Sequence, residues 1–129
     1  MIIAVDGPTA SGKGTIAKAL AAHFGLPHLD TGLLYRAVGV LTERAGEDPD
    51  IEEAATAVAL ILTADQLNDP ALRTRAAGEL ASRVAVHHKV REALLEFQRT
   101  FAAQDDGAVL TPAVKYQRIA ARGVPRHNH

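Results

Sequence analysis

Cysteine is absent from this 129-residue sequence. Its absence excludes disulfides and thiolate metal sites, and it fits a reducing compartment. Aromatic residues are scarce, at 4%, and alanine is abundant, so a core must come mainly from small aliphatic side chains carried on helices. Charge of neither sign dominates. Fourteen lysines and arginines stand against 15 aspartates and glutamates, for a net charge of −1. That balance offers no electrostatic case for a nucleic acid polymer or an anionic membrane surface as a partner. No apolar stretch approaches the ~20 residues of a membrane-spanning helix. The amino terminus lacks the basic region and apolar core of a secretory leader. A cytoplasmic location is expected. There is no repeat and no low-complexity segment.

What is present is enough for one small domain: 47% of the residues are hydrophobic, which supports a real core at this length. The most informative segment is Gly7-Pro8-Thr9-Ala10-Ser11-Gly12-Lys13-Gly14-Thr15. Before it, Ile2-Ile3-Ala4-Val5 reads as a buried strand; after it, Ile16 to Phe24 reads as a helix. A glycine-rich loop between strand and helix is a phosphate-binding loop. Its successive N–H groups form an anion-binding nest, and the helix adds its positive end. Lys13 is placed to reach the β and γ phosphates of a nucleoside triphosphate. The hydroxyl for Mg²⁺ falls to Thr15, because Gly14 intervenes after the lysine. That ending is similar to the nucleoside monophosphate kinases rather than the GTPases.

Further elements follow from punctuation. Gly25 and Pro27 end the first helix. Pro27-His28-Leu29 reads as a short second strand, and a second helix is expected from Leu33 to about Ala45, closed by Gly46. Asp50-Ile51-Glu52-Glu53 has the spacing of a capping box with Asp50 as cap, leading a helix that carries Val58, Leu60, Ile61 and Leu62. Asn68-Asp69-Pro70 reads as a turn or helix start. Thr74 is a candidate cap for a helix through Val84. Val90, Leu94, Phe97 and Phe101 fall at helical spacing from Lys89 to Phe101. Ala108-Val109-Leu110 reads as a third strand, Val114 to Arg122 as a basic helix with Lys115, Arg118 and Arg122 on one face, and the remainder as a frayed tail.

A second segment carries chemistry. Asp30-Thr31-Gly32-Leu33-Leu34-Tyr35-Arg36 opens a helix after the second strand. In an open α/β sheet, ligands bind beyond the carboxyl ends of the strands. Arg36 has the planar fork suited to phosphate. Asp30, Thr31 and Tyr35 add hydrogen-bonding groups and a ring. The plain alternative makes Asp30 or Thr31 a helix cap and Arg36 a surface charge; the neighbouring phosphate loop turns the balance toward the binding role. Adjacent His87 and His88 on a helix give poor chelating geometry, the histidines of His127-Asn128-His129 read as solvated tail residues, and no native metal site is expected from them.

The phosphate loop followed by Leu29-Asp30-Thr31-Gly32-Leu33-Leu34-Tyr35-Arg36-Ala37-Val38 is similar to the bacterial cytidylate kinase family. Leu72-Arg73-Thr74, Ala81-Ser82-Arg83-Val84-Ala85, Val90-Arg91 and Gln98-Arg99 resemble that family's CMP-binding region in order and spacing. The resemblance covers residues 1 to about 110. It implies an α/β, P-loop NTPase-like three-layer fold with a small parallel sheet and a mostly helical CMP-binding region. It implies ATP and Mg²⁺ as cofactors, CMP or dCMP as the acceptor, and transfer of a phosphoryl group. It also implies that Ser82 and Arg91 contact the base and phosphate of CMP, with Asp30, Thr31, Tyr35 and Arg36 in the same pocket. Without the family, Ser82 reads as a mid-helix serine and Arg91 as a surface arginine.

The sequence departs from the family after Leu110. The family continues with an Asp-Gly-Arg-Asp-Ile-Gly-Thr type segment that supplies an arginine and an aspartate; no Gly-Arg-Asp occurs here. Thr111 to Gly123 instead resembles the family's basic lid. One domain over 1–129 is expected, with residues 1–30 and 107–110 as an incomplete core sheet, 31–106 as the helical region and 111–129 as lid remnant and tail. The shortened sheet is expected to leave Val109 on an unpaired edge and so to favour a marginal fold or self-association. A nucleotide-binding chain without transfer is the second reading. The third is the product of a deleted or frame-shifted gene, stable only with a partner or not at all. A sister kinase acting on another small acceptor is a weaker alternative that the Ser82–Arg91 region disfavours.

Overall fold

Among the described residues, three short strands and five α-helices follow from the apolar segments and their glycine stops. The computed structural model describes residues 1–5, 14–104 and 107–112 in full, together with the backbone of Lys13. In chain order the elements are β1 (Ile2–Ala4), α1 (Lys13–Phe24), β2 (His28–Asp30), α2 (Thr31–Arg44), α3 (Glu52–Leu60), α4 (Arg75–Ala85), α5 (His88–Gln104) and β3 (Ala108–Thr111). Two short 3-10 helices, Ala64–Asn68 and Pro70–Arg73, lie between α3 and α4. The described residues fall into two compact units, one from residues 1–32 and 95–112, the other from residues 33–94.

The first unit is an α/β layer. Its sheet is parallel with the order β1-β3-β2. Val109 lies beside Ile3 on one flank and His28 on the other, and Val5 N–H donates to the Leu110 carbonyl at 2.8 Å. On one face Val5, Ala17, Ala21 and Val109 form a buried cluster, with Ile3, Leu20 and Leu26 packed against it. Alanines one helical turn apart bring α1 close to the sheet, because a methyl group keeps the backbones near. α1 then stops at Gly25, whose φ of 65° suits a residue without Cβ. Leu26 N–H donates to the Ala21 carbonyl at 2.9 Å and Gly25 N–H to Ala22 at 3.4 Å. This is the paired-bond stop in which the residue after the glycine packs back on the helix. α2 ends the same way at Gly46.

The second unit is helical. Leu34, Val38, Leu72, Val84, Val90 and Leu94 are fully buried. α4 buries Ala77, Leu80, Ala81, Val84 and Ala85, the apolar stripe of a surface helix. Thr74 caps it by accepting from Ala77 N–H at 3.1 Å, as its sequence position predicts. Asp69 caps the preceding 3-10 helix by accepting from Ala71 N–H, with Pro70 at its start. Gly39 on α2 lies against Leu80 on α4. A Cβ at Gly39 would come within 2.8 Å of Leu80 main-chain and Cβ atoms.

Three expectations are corrected. β3 is the central strand, so Val109 is fully buried and is not an edge. β3 enters between the two earlier strands, so β1 and β2 are the edges of the sheet among the described residues; at the β1 edge Ile2 is 62% exposed. Asp50 does not cap α3; the cap position is Ile51, without a side-chain bond. The Asp50 carboxylate instead accepts from Arg83 Nε at 2.9 Å, and that hydrogen bond holds its pKa below the usual range. The capping box in this region is Thr63–Gln66. Leu60 and Ile61 are exposed, because α3 ends at Leu60 and buries only Ala55 and Ala59. Among the described residues no helix is long and apolar enough to cross a membrane.

Two predictions follow from this packing. Gly39→Ala gains about 1 kcal/mol of helix propensity, but the new methyl meets the Leu80 main chain. Overpacking of this kind costs about 1–3 kcal/mol, so a lower midpoint in chemical denaturation is expected; a higher midpoint would contradict the contact. His28 shares a 3.0 Å hydrogen bond with Thr111 Oγ1. Burial lowers its pKa; Asp30 opposes this and Lys18 reinforces it. The unfolded imidazole titrates near pH 6.5. The stability of the neutral side chain is therefore complete above about pH 6.5 and is lost as pH falls through the lowered folded value. The melting temperature of the wild type is expected to drop more than that of His28→Gln between about pH 7.5 and pH 5. Parallel pH profiles would exclude this linkage.

Candidate functional site

Helix α1 begins at Lys13, three residues earlier than its apolar pattern suggests. Its first turn contains no acidic residue, so no carboxylate opposes the positive helix end there. Among the described residues, a Cβ built on Gly14 would meet no heavy atom within 4 Å, and Thr15 is exposed on the same turn. A helix start without an acidic side chain suits a phosphate. Residues 7–12 of the loop (Gly7, Pro8, Thr9, Ala10, Ser11 and Gly12) and the Lys13 side chain lie outside the described residues, as do Lys115, Arg118, Arg122 and the expected basic helix.

Asp30 and Thr31 stand where β2 passes into α2. The Asp30 carboxylate accepts from Gly32 N–H at 3.0 Å, the bond of a helix-capping aspartate. Thr31 is buried, and its hydroxyl donates to the Thr111 carbonyl. In the described structure both side chains tie the start of α2, and Thr31 also ties it to β3.

Tyr35, Arg36, Ser82 and Arg91 come from three helices of the second unit. Tyr35 is only 5% exposed. Burial raises the pKa of its hydroxyl, while the positive charge of Arg91 works against that rise. Arg91 is half-buried and donates through Nη1 to the Ala85 carbonyl at 2.9 Å, spanning the turn between α4 and α5. Arg36 donates through Nη1 to the Leu72 carbonyl at 2.9 Å and to the Thr74 carbonyl at 3.3 Å. Two carbonyls on one nitrogen fix the plane of the guanidinium. Ser82 donates its hydroxyl to the Gly78 carbonyl one turn back, at 3.1 Å. With its proton directed to that carbonyl, the oxygen is left as an acceptor.

Three participants were not legible as site residues: the carbonyls of Leu72 and Thr74, and Gly78, whose α-carbon faces Arg36. Main-chain acceptors leave no sequence signal. Gly78 does leave one, since a glycine inside an amphipathic helix has a packing or functional reason. The histidines diverge: His87 Nε2 meets the Pro49 carbonyl at 2.9 Å, and His88 meets Glu92 at 2.8 Å. Among the described residues no three His, Asp or Glu side chains gather as metal ligands.

Comparison with known proteins gives the family. The profile of the cytidylate kinase family matches residues 3–111. A cytidylate kinase of Rhodopseudomonas palustris (strain TIE-1) is 57% identical over 110 residues, which is 85% of this chain and 52% of that protein. One from Methylobacterium sp. (strain 4-46) is 58% identical over the same shares. One from Caulobacter vibrioides (strain NA1000 / CB15N) is 59% identical over 84% of this chain and 51% of its own length. The chain thus spans about half the length of the curated relatives it matches. With the family profile running from β1 to the last residue of β3, this chain belongs to the cytidylate kinase family.

Proposed function

We propose that this chain binds ATP and a cytidine monophosphate and contributes to phosphoryl transfer from ATP to CMP or dCMP. The observation that carries the reading is the Arg36 fork, held in one plane by two carbonyls beside a serine turned into an acceptor. A planar fork suits the two oxygens of a monophosphate. An acceptor hydroxyl suits the exocyclic amino group of cytosine, which a uracil lacks. Arg91 adds a second cation, held by the Ala85 carbonyl. Asp30 and Thr31 support the start of α2, where they stand next to the same segment in sequence.

ATP would lie on Gly7, Pro8, Thr9, Ala10, Ser11, Gly12, Lys13, Gly14 and Thr15. Loop amides and the helix end would bind its phosphates, and Lys13 would neutralise charge at the transferring group. Thr15 would offer a hydroxyl to Mg²⁺. The ion, when bound, supplies charge neutralisation across the phosphates. In the reaction an oxygen of the CMP phosphate forms a bond to the γ-phosphorus as the bond to ADP breaks.

A second reading is binding without transfer. It is motivated by the absence of a Gly-Arg-Asp segment and by the half-length match. Each preorganised group lost near a phosphoryl centre removes about 2–4 kcal/mol of transition-state stabilisation. We also assign the expected self-association to the open edge of β1 and a second copy of this chain.

Calorimetry with CMP and with ATP, run beside CMP-dependent ADP release, tests these readings. Binding of both nucleotides is expected, and Lys13→Ala is expected to reduce ADP release by about 100-fold or more without lowering the melting temperature. Absence of binding would sink both readings; binding with no release would favour the second. Arg36→Ala is expected to weaken CMP but not ATP. For association, Ile2→Lys places a charge on the edge strand, and sedimentation velocity should show a smaller concentration dependence than wild type; identical profiles would dismiss the β1 edge.

A further inference from the structure

Gly78 lies in the second turn of α4, where a glycine weakens the helix and where its backbone needs no unusual angle. A Cβ at this position would stand 3.3 Å from Arg36 Nη2 and 3.7 Å from Cζ. That is closer than ordinary van der Waals contact to the nitrogen. The guanidinium is not free to retreat, because Nη1 of the same planar group is held by the Leu72 and Thr74 carbonyls at 2.9 and 3.3 Å. A rotation that relieved Nη2 would stretch those bonds. The Gly78 carbonyl also receives the Ser82 hydroxyl at 3.1 Å. One residue without a side chain therefore touches a side chain for the acceptor's phosphate and orients a side chain for its base.

We propose that Gly78 is a positioning residue for the acceptor nucleotide: the missing side chain lets the Arg36 fork lie flat along α4 in the orientation that receives a monophosphate. This inference rests on the reading of Arg36 as a phosphate-binding group. It separates two quantities that usually move together. Replacing a helical glycine by alanine favours the helix, yet here the same methyl displaces the fork. Stability and affinity are expected to change in opposite directions.

The test is a double-mutant cycle on the full 129-residue chain. CMP affinity by calorimetry and the melting temperature are measured for wild type, Gly78→Ala, Arg36→Lys and the double variant. Gly78→Ala is expected to weaken CMP by about three- to tenfold, with an unchanged or higher melting temperature. It should also move the Arg36 Nε–Hε resonance in a proton–nitrogen spectrum. In the Arg36→Lys background the same exchange should have no effect on CMP, since a single ammonium does not reach across the glycine in a plane. If Gly78→Ala unfolds the chain, recovery of the melt in the double variant upholds the contact, and failure to recover overturns it. Wild-type CMP affinity and an unmoved Arg36 resonance in Gly78→Ala overturn the inference while leaving the Arg36 reading standing. Unchanged CMP affinity in Arg36→Lys and Arg36→Ala overturns that reading, and the inference with it.

Discussion

The pairing of β3 between β1 and β2 is the constraint on which the α/β unit depends. Ala108–Thr111 comes from the far end of the matched segment, yet it supplies the hydrogen-bonding partners of both amino-terminal strands. Val109 closes the cluster under α1. Thr111 then holds two further groups, its carbonyl accepting from Thr31 and its hydroxyl meeting His28. Neither β1 nor β2 could form a parallel sheet alone, because each is three residues long and isolated strand pairs are marginal. With β3 in place, the carboxyl ends of β1 and β2 are fixed, and those ends lead into the phosphate loop and into α2.

In the helical unit a comparable role falls to main-chain carbonyls. Arg36 is linked to Leu72 and Thr74, Arg91 to Ala85, and Ser82 to Gly78. Each of these three side chains has a hydrogen bond to the backbone. A carbonyl orients a guanidinium without neutralising its charge. The exposed aspartates behave differently. Asp48 and Asp50 engage Arg83, and Asp69 engages Arg44, on exposed surface where such pairs contribute little to stability.

Much of the fold could be read in advance because its signals are local. The strand before the phosphate loop (expected as buried, but exposed at Ile2 and Ala4), the glycine stops at Gly25 and Gly46 and the Thr74 cap all depend on neighbours within one or two turns. The misreadings have physical causes. Asp50 has the spacing of a cap, but Arg83, 33 residues away, takes its carboxylate. Val109 reads as an unpaired edge, but it enters the middle of the sheet. In these two cases a distant partner decided the outcome. Leu60 and Ile61 have the composition of a core, but α3 ends at Leu60 and leaves both exposed.

By itself the sequence determined the family and marked the phosphate-loop segment and Arg36 as candidates by residue type and short spacing, whereas Ser82 and Arg91 stood out only through the family resemblance. Tertiary structure alone decided the strand order, the burial of Tyr35 and Thr31, and the use of the Leu72, Thr74 and Gly78 main chain around Arg36 and Ser82. The reason is physical: main-chain acceptors, and the space left by an absent Cβ, carry no side-chain signature. They acquire meaning only when folding brings another segment against them.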